Sequence, residues 1–147
     1  MKEDFLQIIQ NKFIYIPLLT WFGIQTFKVL TDLYINKKFN FKKIMAAGGM
    51  PSSHSAVVCS LSALIGRNIG YNDPVFALSL VFAFIVMYDA AGVRRAAGKQ
   101  ASLLNKIVAT PGLTGIEVQE RLVEVLGHTP VQVIVGAIIG IIVGSLA

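Results

Sequence analysis

The chain has 147 residues, enough for one domain, with 13 Lys+Arg against 8 Asp+Glu and a formal charge of +5. Apolar residues make up 54% and charged residues only 14%, against roughly 25% charged in an ordinary soluble domain, and the mean hydropathy is +0.66. These figures exclude a disordered chain, a nucleic-acid-binding arm and a simple soluble enzyme, and they imply a single membrane domain over 1–147 with membrane lipids, and no nucleic acid, as partners.

A transmembrane helix needs about 20 mostly apolar residues to cross about 30 Å of hydrocarbon. The first such stretch covers about 13–35. Lys2, Glu3 and Asp4 ahead of it are mixed in charge and no small-residue cleavage site follows, so it does not read as a signal peptide. Within it Gln25, Lys28 and Asp32 fall at i, i+3 and i+7 on one helical face. Ionisable groups inside a span are costly unless they meet a partner or a cavity. Two readings stand side by side: a self-neutralising Lys28–Asp32 pair at i, i+4, or a face turned to a ligand.

The second stretch, about 52–66, is short and rich in Ser and Ala. It is introduced by Gly48-Gly49-Met50-Pro51-Ser52-Ser53-His54-Ser55-Ala56. Ser52 is a natural N-cap, and the free N–H groups and positive dipole end of the helix start suit an anion. The bland alternative is a capped helix with an incidental histidine. A third span covers about 75–91 and runs into Tyr88-Asp89-Ala90-Ala91-Gly92-Val93-Arg94-Arg95. Guanidinium forks match phosphate bidentately, although a cytoplasmic stop signal with lipid-headgroup contacts explains the same residues.

Residues from Arg94 to Leu126 are mixed in character and predict one or two amphipathic interfacial helices, broken at Thr110-Pro111-Gly112. The last span, about 128–147, opens with Gly127-His128-Thr129-Pro130-Val131-Gln132. If Gly127 caps it, Pro130 sits in the first turn, His128 and Gln132 share a face, and Gly136, Gly140 and Gly144 continue that face as a small-residue seam. Such a seam lets another helix approach closely, which leaves room for a homodimer through it. The single Cys59 offers no disulfide framework or cysteine-based metal site, and no metal or cofactor is expected.

The fold class expected is therefore all-α: a polytopic membrane bundle of about four transmembrane helices plus one or two amphipathic helices. Lys37, Lys38, Lys42 and Lys43, and later Arg94, Arg95, Lys99 and Lys106, flank connections that should be cytoplasmic by the positive-inside rule. Both termini then lie outside, in a multi-pass protein of the cell membrane. His54, Arg94, Arg95 and His128 all fall at cytoplasmic helix ends, near Lys28 and Asp32, which suggests one anion pocket on that side.

Pro51-Ser52-Ser53-His54 resembles the Pro-Ser-Gly-His signature of the type 2 phosphatidic acid phosphatase superfamily, and Gly127-His128 followed by Gln132 is similar to its His-x-x-x-Asp element. The Gly-Gly-Met-Pro-Ser-Ser-His-Ser-Ala, Asp-x-x-Gly-Val-Arg-Arg and Gly-His-Thr-Pro stretches look like a divergent branch of small membrane proteins within it, over nearly the whole chain. The resemblance implies a metal-independent lipid phosphatase. His128 would be the nucleophile, His54 the acid for the leaving oxygen, and Lys28, Ser52, Ser53, Arg94 and Arg95 the phosphate ligands. Gln25, Asp32, Asp89 and Gln132 are the further polar residues of the site. Gln132 stands where the superfamily has aspartate, and the superfamily's Lys-x6-Arg-Pro element does not precede Pro51. A non-catalytic protein that binds or transports a phosphorylated lipid or anion is the alternative.

Overall fold

The computed structural model describes residues 2–37, 49–110, 122–124 and 126–147. Lys38, Lys42, Lys43, Gly48, Pro111, Gly112, Val118 and Val125 lie outside the described residues. Six helices make up the described chain: α1 (Lys2–Gln10), α2 (Lys12–Asn36), α3 (Ser53–Asn68), α4 (Pro74–Ala91), α5 (Val93–Ala109) and α6 (Pro130–Leu146). No strand occurs among the described residues.

Local signals explain the helix ends. Asn11, Ser52, Asp73 and Thr129 act as N-caps, each side chain accepting from a backbone N–H in the first turn, which satisfies donors a helix start leaves orphaned. Pro74 and Pro130 occupy first-turn positions, where a missing N–H costs nothing. The last helix is therefore capped by Thr129, not by Gly127. Helix α1 was not expected; it is a short element with Phe5, Leu6, Ile8 and Ile9 exposed. One amphipathic helix, α5, fills the expected interfacial region and ends at Thr110, whereas Leu122–Glu124 are non-helical.

Helix α3 is the hub, touching α2, α4 and most extensively α6. The α3–α6 contact explains the glycine seam. A Cβ added at Gly136, Gly140 or Gly144 would collide with the carbonyl oxygens of Ser52, Ala56 and Ser60 respectively. Each step of four on α6 matches a step of four on α3 in the same direction, so the two helices run parallel with their backbones in direct contact. The seam is thus filled by α3 of the same chain, and a second copy would need another face.

Helices α2 and α4 run antiparallel to α3. Lys12 of α2 donates to Asn68 at the end of α3, while Ser62 of α3 donates to Ser79 of α4 at 3.1 Å and Cys59 Sγ lies 3.7 Å from Met87 Sδ. The buried serines of α3 are satisfied locally: Ser60 donates to the Val57 carbonyl at 2.8 Å and Ser55 to Ser52 Oγ at 3.0 Å. Satisfied hydroxyls are tolerated in an apolar interior. Outward, Leu78, Val81, Phe82 and Ile85 of α4, and Ile134, Ile138 and Ile142 of α6, are exposed. An apolar exterior of that extent suits hydrocarbon and not water.

Two runs are long and apolar enough to cross a membrane, Lys12–Ile35 and Pro74–Ala109; α6 is apolar but shorter. At 1.5 Å per residue, α3 reaches only about 24 Å. The structure thus gives two candidate spanning helices where the sequence suggested four.

Candidate functional site

The up–down order of α2, α3 and α4, with α6 parallel to α3, brings the end of α2, the start of α3, the α4–α5 junction and the start of α6 to one end of the bundle. The loop before α6 and the first turn of α6 are each fastened there by one hydrogen bond. His128 N–H donates to the Ala90 carbonyl at 2.8 Å, and Ser52 N–H donates to the Gln132 carbonyl at 3.0 Å. Gly127, at φ 81, lies against the Arg94–Arg95 backbone so closely that a Cβ would clash with it. Both the positive φ and the contact demand glycine.

These anchors hold His128, only 3% exposed, with its ring 6.0 Å from that of His54, centroid to centroid, at an interplanar angle of 62°. Thr129 and Gln132 form a capping box. Gln132 Oε1 accepts from Thr129 N–H at 3.0 Å and lies 3.3 Å from His128 Nδ1. A backbone N–H can only donate, so the amide presents its oxygen here. In the neutral ring Nδ1 then carries the proton and donates to Gln132, leaving the lone pair on Nε2. His128 lies two residues ahead of α6. Burial lowers its pKa from the ordinary value, with Lys28 and His54 acting in the same sense and hydrogen bonds to Gln132 and the Gly49 backbone opposing them.

His54 occupies the first turn of α3, and its Nδ1 is buried without a hydrogen bond among the described residues. Lys28, Arg94 and Asp89 are near enough to act on it electrostatically. Lys28 is half-buried on α2 and passes beside Gly49, where an added Cβ would lie 3.9 Å from Lys28 Cδ. On the same helix Gln25 is buried, 7% exposed, and Asp32 is half-buried.

The two arginines separate. Arg94 Nε donates to Asp89 Oδ2 at 2.6 Å in a partly exposed ion pair. Arg95 instead lines a cavity of 410 Å³ that also reaches His128 and Gln132. Lys99, Ser102 and Glu124 line the same cavity. Lys99 and Ser102 follow Arg95 at i+4 and i+7, one face of α5; that spacing was legible in the sequence but was not connected to the site. Glu124 brings a carboxylate to the wall and accepts from Asn105 Nδ2 at 2.9 Å.

Ser52, expected as a phosphate ligand, lies at the α3–α6 contact. It is 0% exposed, its N–H is taken by Gln132, and its Oγ accepts from Ser55, so it joins α3 to α6. Ser53 begins α3 with its side chain buried. Among the described residues no three of His, Cys, Asp and Glu are grouped to hold a metal ion.

Chemically, the arrangement offers two imidazoles with ring centroids 6.0 Å apart, cations on α2 and α5, and a ring nitrogen of His128 oriented by an amide.

No solved structure matches this chain. An uncharacterized membrane protein, YuiD of Bacillus subtilis (strain 168), is 39% identical over 129 residues, covering 80% of this chain and 82% of that protein. Together with the two apolar runs of spanning length, this likeness supports a membrane location. The sequence pattern of the Divergent PAP2 family matches residues 9–143, and both paired-histidine stretches fall within that range. The chain belongs to the Divergent PAP2 family.

Proposed function

We propose that the protein is a multi-pass membrane phosphatase that cleaves a phosphoric monoester or pyrophosphate of a lipid through a phosphohistidine at His128. The observation that carries this reading is the convergence of His54 and His128, remote in sequence, with ring centroids 6.0 Å apart beside a basic cavity. In the reaction, His128 Nε2 attacks phosphorus and an N–P bond forms as the P–O bond to the lipid breaks. The leaving oxygen takes a proton from the His54 imidazolium. Water then attacks the phosphohistidine, giving its proton to His54 and releasing inorganic phosphate. Lys28, Arg94 and Arg95 supply positive charge, since phosphoryl transfer depends mainly on positioning and charge neutralisation.

In this proposal α2, α3, α4 and α6 cross the bilayer and α5 lies at its surface. The polar end faces the cytoplasm, because Lys37, Arg94, Arg95, Lys99 and Lys106 cluster there and positive residues favour that side.

A second reading has a specific observation behind it. The His128 partner is an amide, Gln132, which orients the ring but cannot stabilise an imidazolium by charge. A protein that holds or moves a phosphorylated lipid or anion without cleaving it needs no more than that. Phosphate release from phosphatidic acid by the purified chain decides between them. The catalytic reading predicts turnover that is lost in His128→Asn and in His54→Asn, both still folded. Release that persists unchanged in those variants, or saturable binding without release, would overturn it.

A further inference from the structure

Between α2 and α6 a groove of 800 Å³ lies open along the side of the bundle, reaching Met50 and Pro51 at the polar end. We infer that this groove is a binding site for one hydrocarbon chain of the lipid whose phosphate is held between His54 and His128. The inference rests on the proposal that the site takes a phosphorylated lipid, and it adds where the tail lies and by which flank the lipid enters.

Continuity joins the two sites. Gly49 lines the polar cavity and its backbone bonds to His128, whereas the next two residues, Met50 and Pro51, line the groove. Polar ligand wall turns into apolar wall within three residues. A phosphate on the His128 side of this segment therefore leaves its ester substituent at the mouth of the groove.

The lining is built for hydrocarbon. Val135, Ile139 and Val143 present one face of α6 to it. The hydroxyls that border it offer no free donor, since Thr20 donates to the Ile16 carbonyl at 2.9 Å and Thr31 to the Phe27 carbonyl at 2.8 Å. Measured along α2 from Ile16 to Thr31, the groove runs about 22 Å at 1.5 Å per residue. That is more than one leaflet of a hydrocarbon core about 30 Å thick, so it fits a long chain better than a short one.

Gly23 gives independent support. It sits in the middle of a 25-residue helix and lines the groove. The seam glycines of α6 are required by backbone contact, but a Cβ at Gly23 would meet nothing within 4 Å. Among the described residues no protein group occupies that space, which leaves it open to a chain running over α2.

The test uses the full chain in phosphatidylcholine nanodiscs with a phosphatidic acid probe that carries a photoreactive diazirine on its acyl chain, mapped by peptide mass spectrometry. Labelling is expected within 16–31 and 135–143, and to fall several-fold with excess dioleoyl phosphatidic acid but not with excess dioleoyl phosphatidylcholine. Gly23→Phe and, from the opposite wall, Ile139→Phe should each reduce it several-fold, with folding checked by circular dichroism. Leu78→Phe, on the exposed face of α4, should leave it unchanged. Labelling spread evenly over α4, competed equally by both lipids, or indifferent to both wall substitutions would overturn the inference. The hydrolase reading fails separately: groove labelling that is selective for phosphatidic acid, with no phosphate released, keeps the tail site and removes the chemistry. Phosphate release without groove labelling does the reverse.

Discussion

At the scale of single residues, Gln132 ties three parts of the site together through its backbone carbonyl and its side-chain oxygen. Its carbonyl receives Ser52 N–H, its side-chain oxygen receives Thr129 N–H, and the same oxygen orients His128. Superfamily resemblance places an aspartate at this position. In a serine-protease triad, replacing the orienting aspartate by its amide costs about 10⁴ in rate. Gln132→Glu keeps both acceptor contacts and adds the missing charge beside the imidazole. Turnover of phosphatidic acid should therefore rise by about tenfold or more, measured as initial rates of phosphate release at equal protein. No rise would mean that the amide is not what limits catalysis. The two arginines also predict differently. Arg95 lines the cavity while Arg94 is held by Asp89, so Arg95→Ala should weaken binding of a phosphate-bearing lipid, read by equilibrium titration, more than Arg94→Ala. The converse order would remove the cavity as the ligand site.

At the scale of elements, the parallel α3–α6 pair sets the position of His128 relative to His54. Its backbone-to-backbone contact cannot widen without disturbing both histidines. Gly140→Leu should destabilise the protein by about 3 kcal/mol or more, at the upper end of ordinary overpacking, because the obstacle is the Ala56 carbonyl and not a flexible side chain. Ile141→Leu, on the exposed side of the same helix, should change stability by less than about 0.5 kcal/mol. Denaturant unfolding in detergent compares them, and equal losses would contradict the packing account. Much of this level was legible in the sequence. The apolar stretches, the Ser52 cap and the proline at the start of the last helix all fall where periodicity and capping chemistry put them. The glycine seam was visible as a pattern, but its partner was not, because spacing alone does not say whether the approaching helix belongs to the same chain. Thr129 was missed as a cap since Gly127 competes for that role; the φ of 81 at Gly127 marks a turn residue instead. Helix α1 was missed because a nine-residue helix carries too little periodicity to stand out.

At the scale of the whole molecule, what matters is that one end of the bundle is polar and basic while its sides are apolar. The histidines and arginines were recognisable in the sequence from their misfit with apolar spans. Lys99 and Ser102 were not, because an amphipathic surface helix explains a lysine and a serine without any site. Sidedness makes a prediction at this scale. In a Cys59→Ser background, Asn72→Cys at the far end of the bundle should react with a membrane-impermeant maleimide in intact cells, and Lys106→Cys only after permeabilisation. Reaction of both from outside would contradict α4 as a crossing.

The central claim is that His128 takes the phosphoryl group, and direct detection of that adduct is its sharpest test. The purified chain would be mixed briefly with phosphatidic acid, quenched and kept at alkaline pH, and digested for mass spectrometry. The account predicts phosphate on His128, absent in His128→Asn and accumulating in variants that slow its hydrolysis. Phosphate release with no adduct on His128, or an adduct on another side chain, would contradict it.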